Sequence, residues 1–261
     1  MKYGFIGCGH MGSAIARALS VATRDFMVTD RSGTAKTFAQ EIGAVYGNNI
    51  TAAQECDRLF LCVKPQMMES VLSPLAPILR ERKPLLITMA AGLDMTKIEA
   101  FAGTQLPVIR IMPNTPVAVG KGMIPYCANA LVEDSVLQDF LRDMRFCGAM
   151  DAIEESMMDA ASALSGSGPA YLYLYMAAMA EGAAACGLPQ EKALRYAAET
   201  MAGAAEMILA SHGDPYALAD AVCSPGGSTI EGVKILRQQD LAGTVSQCIQ
   251  AAYRRNQELG K

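Results

Sequence analysis

Tryptophan is absent from this 261-residue chain, and histidine occurs only twice, at His10 and His212. Eight cysteines are scattered without a single C-x-x-C pair. With so few imidazoles and no ligand spacing, no metal site is expected. The cysteines read instead as small buried hydrophobes in a reducing compartment. No block of basic residues occurs and the net charge is −4, which argues against nucleic acid as a partner. Long apolar runs are missing too: GPAYLYLYMAAMA, residues 168–180, is uncharged but falls short of the ~20 residues that cross a bilayer. A buried helix is expected there, and no membrane partner. The amino end, MKYGFIGCGHMG, reads directly into a strand without a signal-peptide pattern, so the expected location is cytoplasmic.

What is present is a globular composition. Hydrophobic residues make up 51% and charged residues 18%, enough to build one large core or two modest ones. The first part alternates short apolar runs with helix-like stretches: KYGFI (2–6), FMVTD (26–30), RLFLCV (58–63), PLLITM (84–89) and LPVIRIM (106–112). KGMIPYCA (121–128) and FCGAMDAI (146–153) add strands around one more helix, 133–145. Strands alternating with helices imply a mostly parallel, doubly wound α/β sheet. After Ile153 no further strand is visible. Ser167, Gly168 and Pro169 read as a helix start, Gly187 as a helix end, Pro189 and Asp214-Pro215 as further starts. The expected division is residues 1–152 as a dinucleotide-binding domain and 153–261 as an all-helical domain.

GFIGCGHMGSAI holds Gly7-x-Gly9-x-x-Gly12 between a strand ending at Ile6 and a helix opening near Met11. A dinucleotide pyrophosphate needs close backbone approach and a helix amino end at such a place. His10 lies inside this loop. Asp30 follows Gly12 by 18 residues and ends the second strand, the position of an acid that reads the ribose 2′-hydroxyl of NAD. Arg31 and Ser32 come next and could cradle the 2′-phosphate of NADP, so the pattern leaves NADPH and NADH both open. The loops Val63-Lys64-Pro65, Ala90-Ala91-Gly92 and MPNTP, with Asn114, all follow strands and belong to the same crevice. Lys64 reads as a cofactor contact rather than a Schiff base, and His212 as a solvated interhelix residue.

The stretch CSPGGSTIEG (223–232) interrupts a helical, Ala- and Met-rich region with one proline, paired glycines and three hydroxyls. Adjacent glycines expose successive N–H groups, and a helix starting near Thr229 turns its positive end towards an anion. An interhelix break with a serine cap is the plainer alternative.

Together GFIGCGHMGSAI, VKP, MAAGL, RIMPNTP, LSGSGPAY and CSPGGSTIEG resemble pyrroline-5-carboxylate reductase, in order from Gly4 to about Leu236. The resemblance implies reduction of (S)-1-pyrroline-5-carboxylate to L-proline by NADPH or NADH, the last step of proline biosynthesis. It implies that Ser224 and the backbone N–H groups around Gly227, Ser228 and Thr229 grip the substrate carboxylate, and that the Thr229 hydroxyl meets the ring nitrogen. Asn49 matches a family residue at the adenosine end of the cofactor. Asp30 stands where relatives often carry a neutral residue. The helical part is implied to form an interlocked homodimer or higher homo-oligomer, the Ser224–Thr229 loop of one chain facing the cofactor domain of the other.

Two other readings stand beside this one: a reductase of the same two-domain plan that acts on a 2-hydroxy acid or a different imine, and, from a different class, a non-catalytic NAD(P) sensor. A 2-hydroxy acid dehydrogenase needs a base, commonly a helix lysine, and neither Lys192 nor Lys234 has the matching context. A non-catalytic NAD(P) sensor has no need of the 223–232 loop.

Overall fold

A computed structural model describes residues 2–30, 33–211 and 213–259. The strands are β1 (Tyr3–Ile6), β2 (Phe26–Thr29), β3 (Val45–Tyr46), β4 (Arg58–Leu61), β5 (Leu85–Thr88), β6 (Val108–Ile111), β7 (Gly122–Ala128) and β8 (Gly148–Ala152). They form one sheet in the order β3-β2-β1-β4-β5-β6-β7-β8. Pairing is parallel from β3 through to β6, antiparallel between β6 and β7, and parallel again between β7 and β8. The doubly wound parallel sheet expected from the alternation is therefore present. The order reverses between β1 and β4, and that switch point opens the crevice.

The strands β1, β2, β4, β5 and β6 are buried on both faces and their side chains alternate between two cores. Tyr3, Phe5, Val28, Phe60 and Ile87 face one side, where the Phe5 and Phe60 rings stack 4.6 Å apart. Ile6, Met27, Leu59, Leu61 and Leu86 face the other. β3 escaped the sequence reading because it has two residues, both exposed at the sheet edge.

The chain divides into two compact units, one running to Ser167 and taking back the segment from Ala252, the other spanning Gly168–Ala251. Strands end at Ala152, but the short helix Met158–Ala161 packs Met158 beside Met112 and Cys127, so it counts with the sheet. Arg110 on β6, 5% exposed, pairs with Glu155 at 3.1 Å and reaches Asp159 at 3.8 Å, fastening the same segment. Ser167 is not the helix cap that its type suggests. It keeps helical dihedrals (φ −86°, ψ −28°) behind a π turn, Ser162–Gly166.

Among its described residues the regular elements of the second unit are all helices: Gly168–Ala185, Gln190–Ser211, Pro215–Val222, Ser228–Gln238 and most of Leu241–Leu259. Gly187 takes φ +98° and ends the first of these, and Asp214 caps the third through the Tyr216 N–H. The helix Gly168–Ala185 is apolar all round, which calls for a second chain as its cover, and within this one chain only Ala180 of it is buried. On the neighbouring helix Gln190–Ser211 only Ala193 and Ala197 are buried. Cysteine burial is less than expected: Cys56, Cys127 and Cys147 are buried, whereas Cys186, just past the helix Gly168–Ala185, and Cys248, on the helix Leu241–Leu259, are exposed. Among the described residues no helix is long and apolar enough to cross a membrane.

At the amino end of the sheet, Tyr3 donates to Asp143 at 2.7 Å and Arg58 donates to Tyr3 at 2.8 Å. Lys2 lies 2.7 Å from the same carboxylate. Burial pushes the Asp143 carboxyl up, but the Lys2 and Tyr3 hydrogen bonds and the Lys2 and Arg58 charges outweigh it and leave its pKa lowered. Because the folded-state pKa is depressed, this contribution is full above the unfolded value of about 4 and is lost as the pH falls below it. Asp143→Asn is expected to destabilise the protein at pH 7 and to narrow that gap to wild type below pH 4, as read by thermal unfolding at both pH values.

Candidate active site

The glycine loop assigns a separate task to each glycine. Gly7 takes φ +85°, so the chain turns sharply at the end of β1. A Cβ at Gly12 would meet the Gly7 carbonyl at 2.9 Å and Cys62 Cβ at 3.0 Å, so this glycine lets the helix His10–Leu19 lie against the end of β4. A Cβ at Gly9 would meet nothing within 4 Å. That space lies at the helix N-cap, where no side chain caps the backbone. Orphan N–H groups, open space and a helix amino end together make an anion seat, and these residues fit a dinucleotide pyrophosphate.

Gly9 and His10 are exposed, Met11 is half-buried, and Ser13 spends its hydroxyl on the Gly9 carbonyl. Burial pushes the Cys8 thiol up to about 11 and raises Cys62 as well. Neither is therefore a thiolate nucleophile near neutral pH.

The remaining candidates of the first unit follow the carboxyl ends of parallel strands. Asp30 follows β2, Val63-Lys64-Pro65 follow β4, Ala90-Ala91-Gly92 follow β5, and Asn114 lies beyond β6. Lys64 is exposed and precedes the short turn Pro65–Met67. Gly92 takes φ +75° before Asp94 caps the helix Met95–Ala102. Asp30 and Asn49 line one cleft of about 590 Å³ together with Asn48, Thr51, Ser70 and Val71. Thr29 donates to Asn49 at 2.6 Å, and Asn48 caps the helix Asn49–Glu55 through the Thr51 N–H. The sequence reading missed Thr29, Tyr46 and Asn48; the Asn48-Asn49 pair ahead of ITAAQE carried a capping signal. Arg31, Ser32 and His212 lie outside the described residues.

Asn114 differs from an open cofactor contact. It is 8% exposed, it accepts the Met123 N–H at 3.0 Å, and it donates to the Ser165 carbonyl at 3.0 Å. Its amide thus joins the start of β7 to the π turn of the LSGSGPAY stretch. Ser165 in turn donates its hydroxyl to Ala161.

In the second unit the interruption resolves into a turn and a helix start. Gly227 N–H donates to the Ser224 carbonyl at 3.0 Å, and Gly226 takes φ +73°, the Pro-Gly placement of a type II turn. The helix Ser228–Gln238 begins with Gly227 at its N-cap and no side-chain cap. The serine-capped break is therefore not what forms. A Cβ on Gly227 would collide with Ser224 Oγ, so the Ser224 hydroxyl rests against this bare helix start. Ser224, Ser228 and Thr229 are exposed. Donors without a buried cation suit a small anion such as a carboxylate.

A family model described as "Pyrroline-5-carboxylate reductase dimerisation" matches residues 155–259. The pyrroline-5-carboxylate reductase of Synechocystis sp. is 36% identical over 267 residues, covering 100% of this chain and 99% of that protein. The chain belongs to the pyrroline-5-carboxylate reductase family. The reductase of that name from Escherichia coli is 34% identical over 269 residues, covering 100% of this chain and 98% of that one. A solved structure, Plasmodium falciparum pyrroline carboxylate reductase with NADP bound, has a TM-score of 0.91 at 32% identity, covering 100% of this chain and 98% of that one. A second family model, "NADP oxidoreductase coenzyme F420-dependent", matches residues 2–92, the stretch that holds the glycine loop and the Asn49 cleft.

The glycines separate folding from binding. Gly12→Ala is expected to destabilise by about 1–3 kcal/mol, because the added methyl has no room. Gly9→Ala is expected to leave thermal unfolding unchanged and to weaken dinucleotide binding at least about tenfold, one methyl's worth in a fitted site. Thermal unfolding and dinucleotide titration of the two variants check this.

Proposed function

We propose that this protein reduces (S)-1-pyrroline-5-carboxylate to L-proline, using NADPH and also accepting NADH, as the last step of proline biosynthesis. The observation that carries the reading is the end-to-end likeness to reductases of that name. The chain supports it with two uncapped, glycine-led helix starts, one in each unit.

In this reading residues 1–152 bind the dinucleotide and 153–261 bind substrate and dimerise. Gly7, Gly9, His10, Met11 and Gly12 hold the pyrophosphate against the amino end of the helix His10–Leu19. Arg31, Ser32 and Asn49 hold the adenosine end, and the loops at Lys64 and Ala91 border the crevice. The bound dinucleotide supplies a hydride to the imine carbon.

Ser224 and the backbone N–H groups of Gly227, Ser228 and Thr229 hold the substrate carboxylate. The helix dipole replaces a buried lysine or arginine there. The Thr229 hydroxyl hydrogen-bonds the ring nitrogen, which takes up a proton from solvent as the C=N bond becomes a C–N single bond. Positioning rather than acid–base strength drives such a step.

The protein also assembles as a homodimer or larger homo-oligomer. Leu174 is 71% exposed on the helix Gly168–Ala185 and Leu209 is 74% exposed on the helix Gln190–Ser211, with Leu172, Tyr173 and Met207 also uncovered. Apolar surface on this scale is covered by a partner in stable proteins, and a second copy supplies the same helices. The eight free cysteines fit a reducing compartment, the cytoplasm.

Oxidation of NADPH and NADH with pyrroline-5-carboxylate, beside a 2-keto acid control, tests the activity. Protein that binds a dinucleotide yet leaves this imine unreduced would overturn the reading. Thr229→Ala is expected to lower kcat and Ser224→Ala to raise KM for the imine, each by about ten- to a hundredfold, the loss of one hydrogen bond to a charged group. Sedimentation is expected to show at least a dimer, and the pair Leu174→Lys and Leu209→Lys to shift it towards monomer.

A further inference from the structure

An acid at the end of β2 has an obvious task, reading a ribose hydroxyl, but Asp30 is already engaged. Its Oδ1 accepts the Gly33 N–H at 3.0 Å and the Tyr46 hydroxyl at 3.1 Å. Its Oδ2 accepts the Thr34 hydroxyl at 2.9 Å and the Ala35 N–H at 3.0 Å. A carboxylate offers about four lone-pair sites, and these four donors fill them. A ribose hydroxyl would have to displace one of them to donate here.

The donors also say what the carboxylate is for. Three belong to the start of the helix Ala35–Ile42, whose N-cap, Thr34, has helical dihedrals and makes no side-chain cap. An unsatisfied helix start needs acceptors and favours a negative charge, and Asp30 supplies both from five residues upstream of Ala35. The fourth donor, Tyr46, lies on β3, a two-residue edge strand paired only through Met27 and Val28. Asn48 and Asn49 follow it after Gly47 and line the same cleft as Asp30. One carboxylate thus ties the β2 end, the next helix and β3 together around that cleft.

We propose that Asp30 is a positioning residue that builds the wall of the adenosine cleft through Gly33, Thr34, Ala35 and Tyr46, and does not choose between a ribose 2′-hydroxyl and a 2′-phosphate. This rests on the reading that a dinucleotide binds along the glycine loop. Preference between NADPH and NADH then lies with other side chains of the cleft.

The two roles diverge in the affinity ratio. A ribose reader carrying a like charge repels a 2′-phosphate, so Asp30→Ser would raise affinity for NADPH relative to NADH. A positioning residue loses both together. Fluorescence titration of Asp30→Ser is expected to show NADPH and NADH each weakened about tenfold or more, with their ratio unchanged within about threefold. Asp30→Asn keeps one acceptor oxygen and is expected to recover part of the loss for both. Tyr46→Phe removes one donor and leaves the helix start intact, so a smaller parallel loss is expected from a variant that folds. A ratio that moves tenfold towards NADPH in Asp30→Ser, or affinities that do not change at all, overturns the proposal. Wild-type protein that binds neither dinucleotide overturns the cofactor reading as well, whereas a shifted ratio in protein that binds both overturns this proposal alone.

Discussion

A Cβ at Gly7 would meet Val63 Cγ1 at 2.8 Å, and one at Gly12 would meet the Gly7 carbonyl at 2.9 Å. That close approach between the loop after β1 and the end of β4 governs the rest of the first unit. It lets the helix His10–Leu19 begin directly above the switch point of the sheet, with its unpaired N–H groups at the crevice. The sheet beneath is rigid because β1, β2, β4, β5 and β6 are buried on both faces. Loops that follow those strands inherit fixed positions, and side-chain hydrogen bonds such as those of Asp30 and Asn114 trim them further.

The second unit applies the same device with different chemistry. Its helix Ser228–Gln238 also starts at a glycine without a side-chain cap, behind a Pro-Gly turn that brings the Ser224 hydroxyl alongside. Hydroxyls and amides without a lysine or arginine suit one small carboxylate better than a polyphosphate. The long helices around it expose Leu, Tyr and Met side chains. Such a surface is costly in water unless a second chain covers it, so the unit that carries this helix start also asks for assembly.

Much of the fold was legible because buried parallel strands read as apolar runs between glycine and proline signals. β3 was not, because Val45 and Tyr46 are exposed and too few to show a period. Ser167 carried the right residue type for a cap, but the π turn before it keeps the backbone helical, and nothing in composition marks a π turn. The helix Gly168–Ala185 is apolar all round, a pattern that asks for burial by a second chain, and within one chain only Ala180 is buried. For the candidate site, glycine spacing located the loop between β1 and the helix His10–Leu19. Hydrogen-bond partners were out of reach. Asp30 and Asn114 sit where the motif reading put them, yet their polar atoms are spent on Tyr46, the turn at Gly33–Ala35, Met123 and Ser165.

The central claim is that the bare helix start at Gly227 is the seat of the substrate carboxylate. A crystal structure of the protein with NADP and L-proline tests it directly. The account predicts the proline carboxylate on the backbone N–H groups of Gly227, Ser228 and Thr229, with the Thr229 hydroxyl within hydrogen-bond distance of the ring nitrogen. Proline bound elsewhere, with that helix start facing only water, would contradict it.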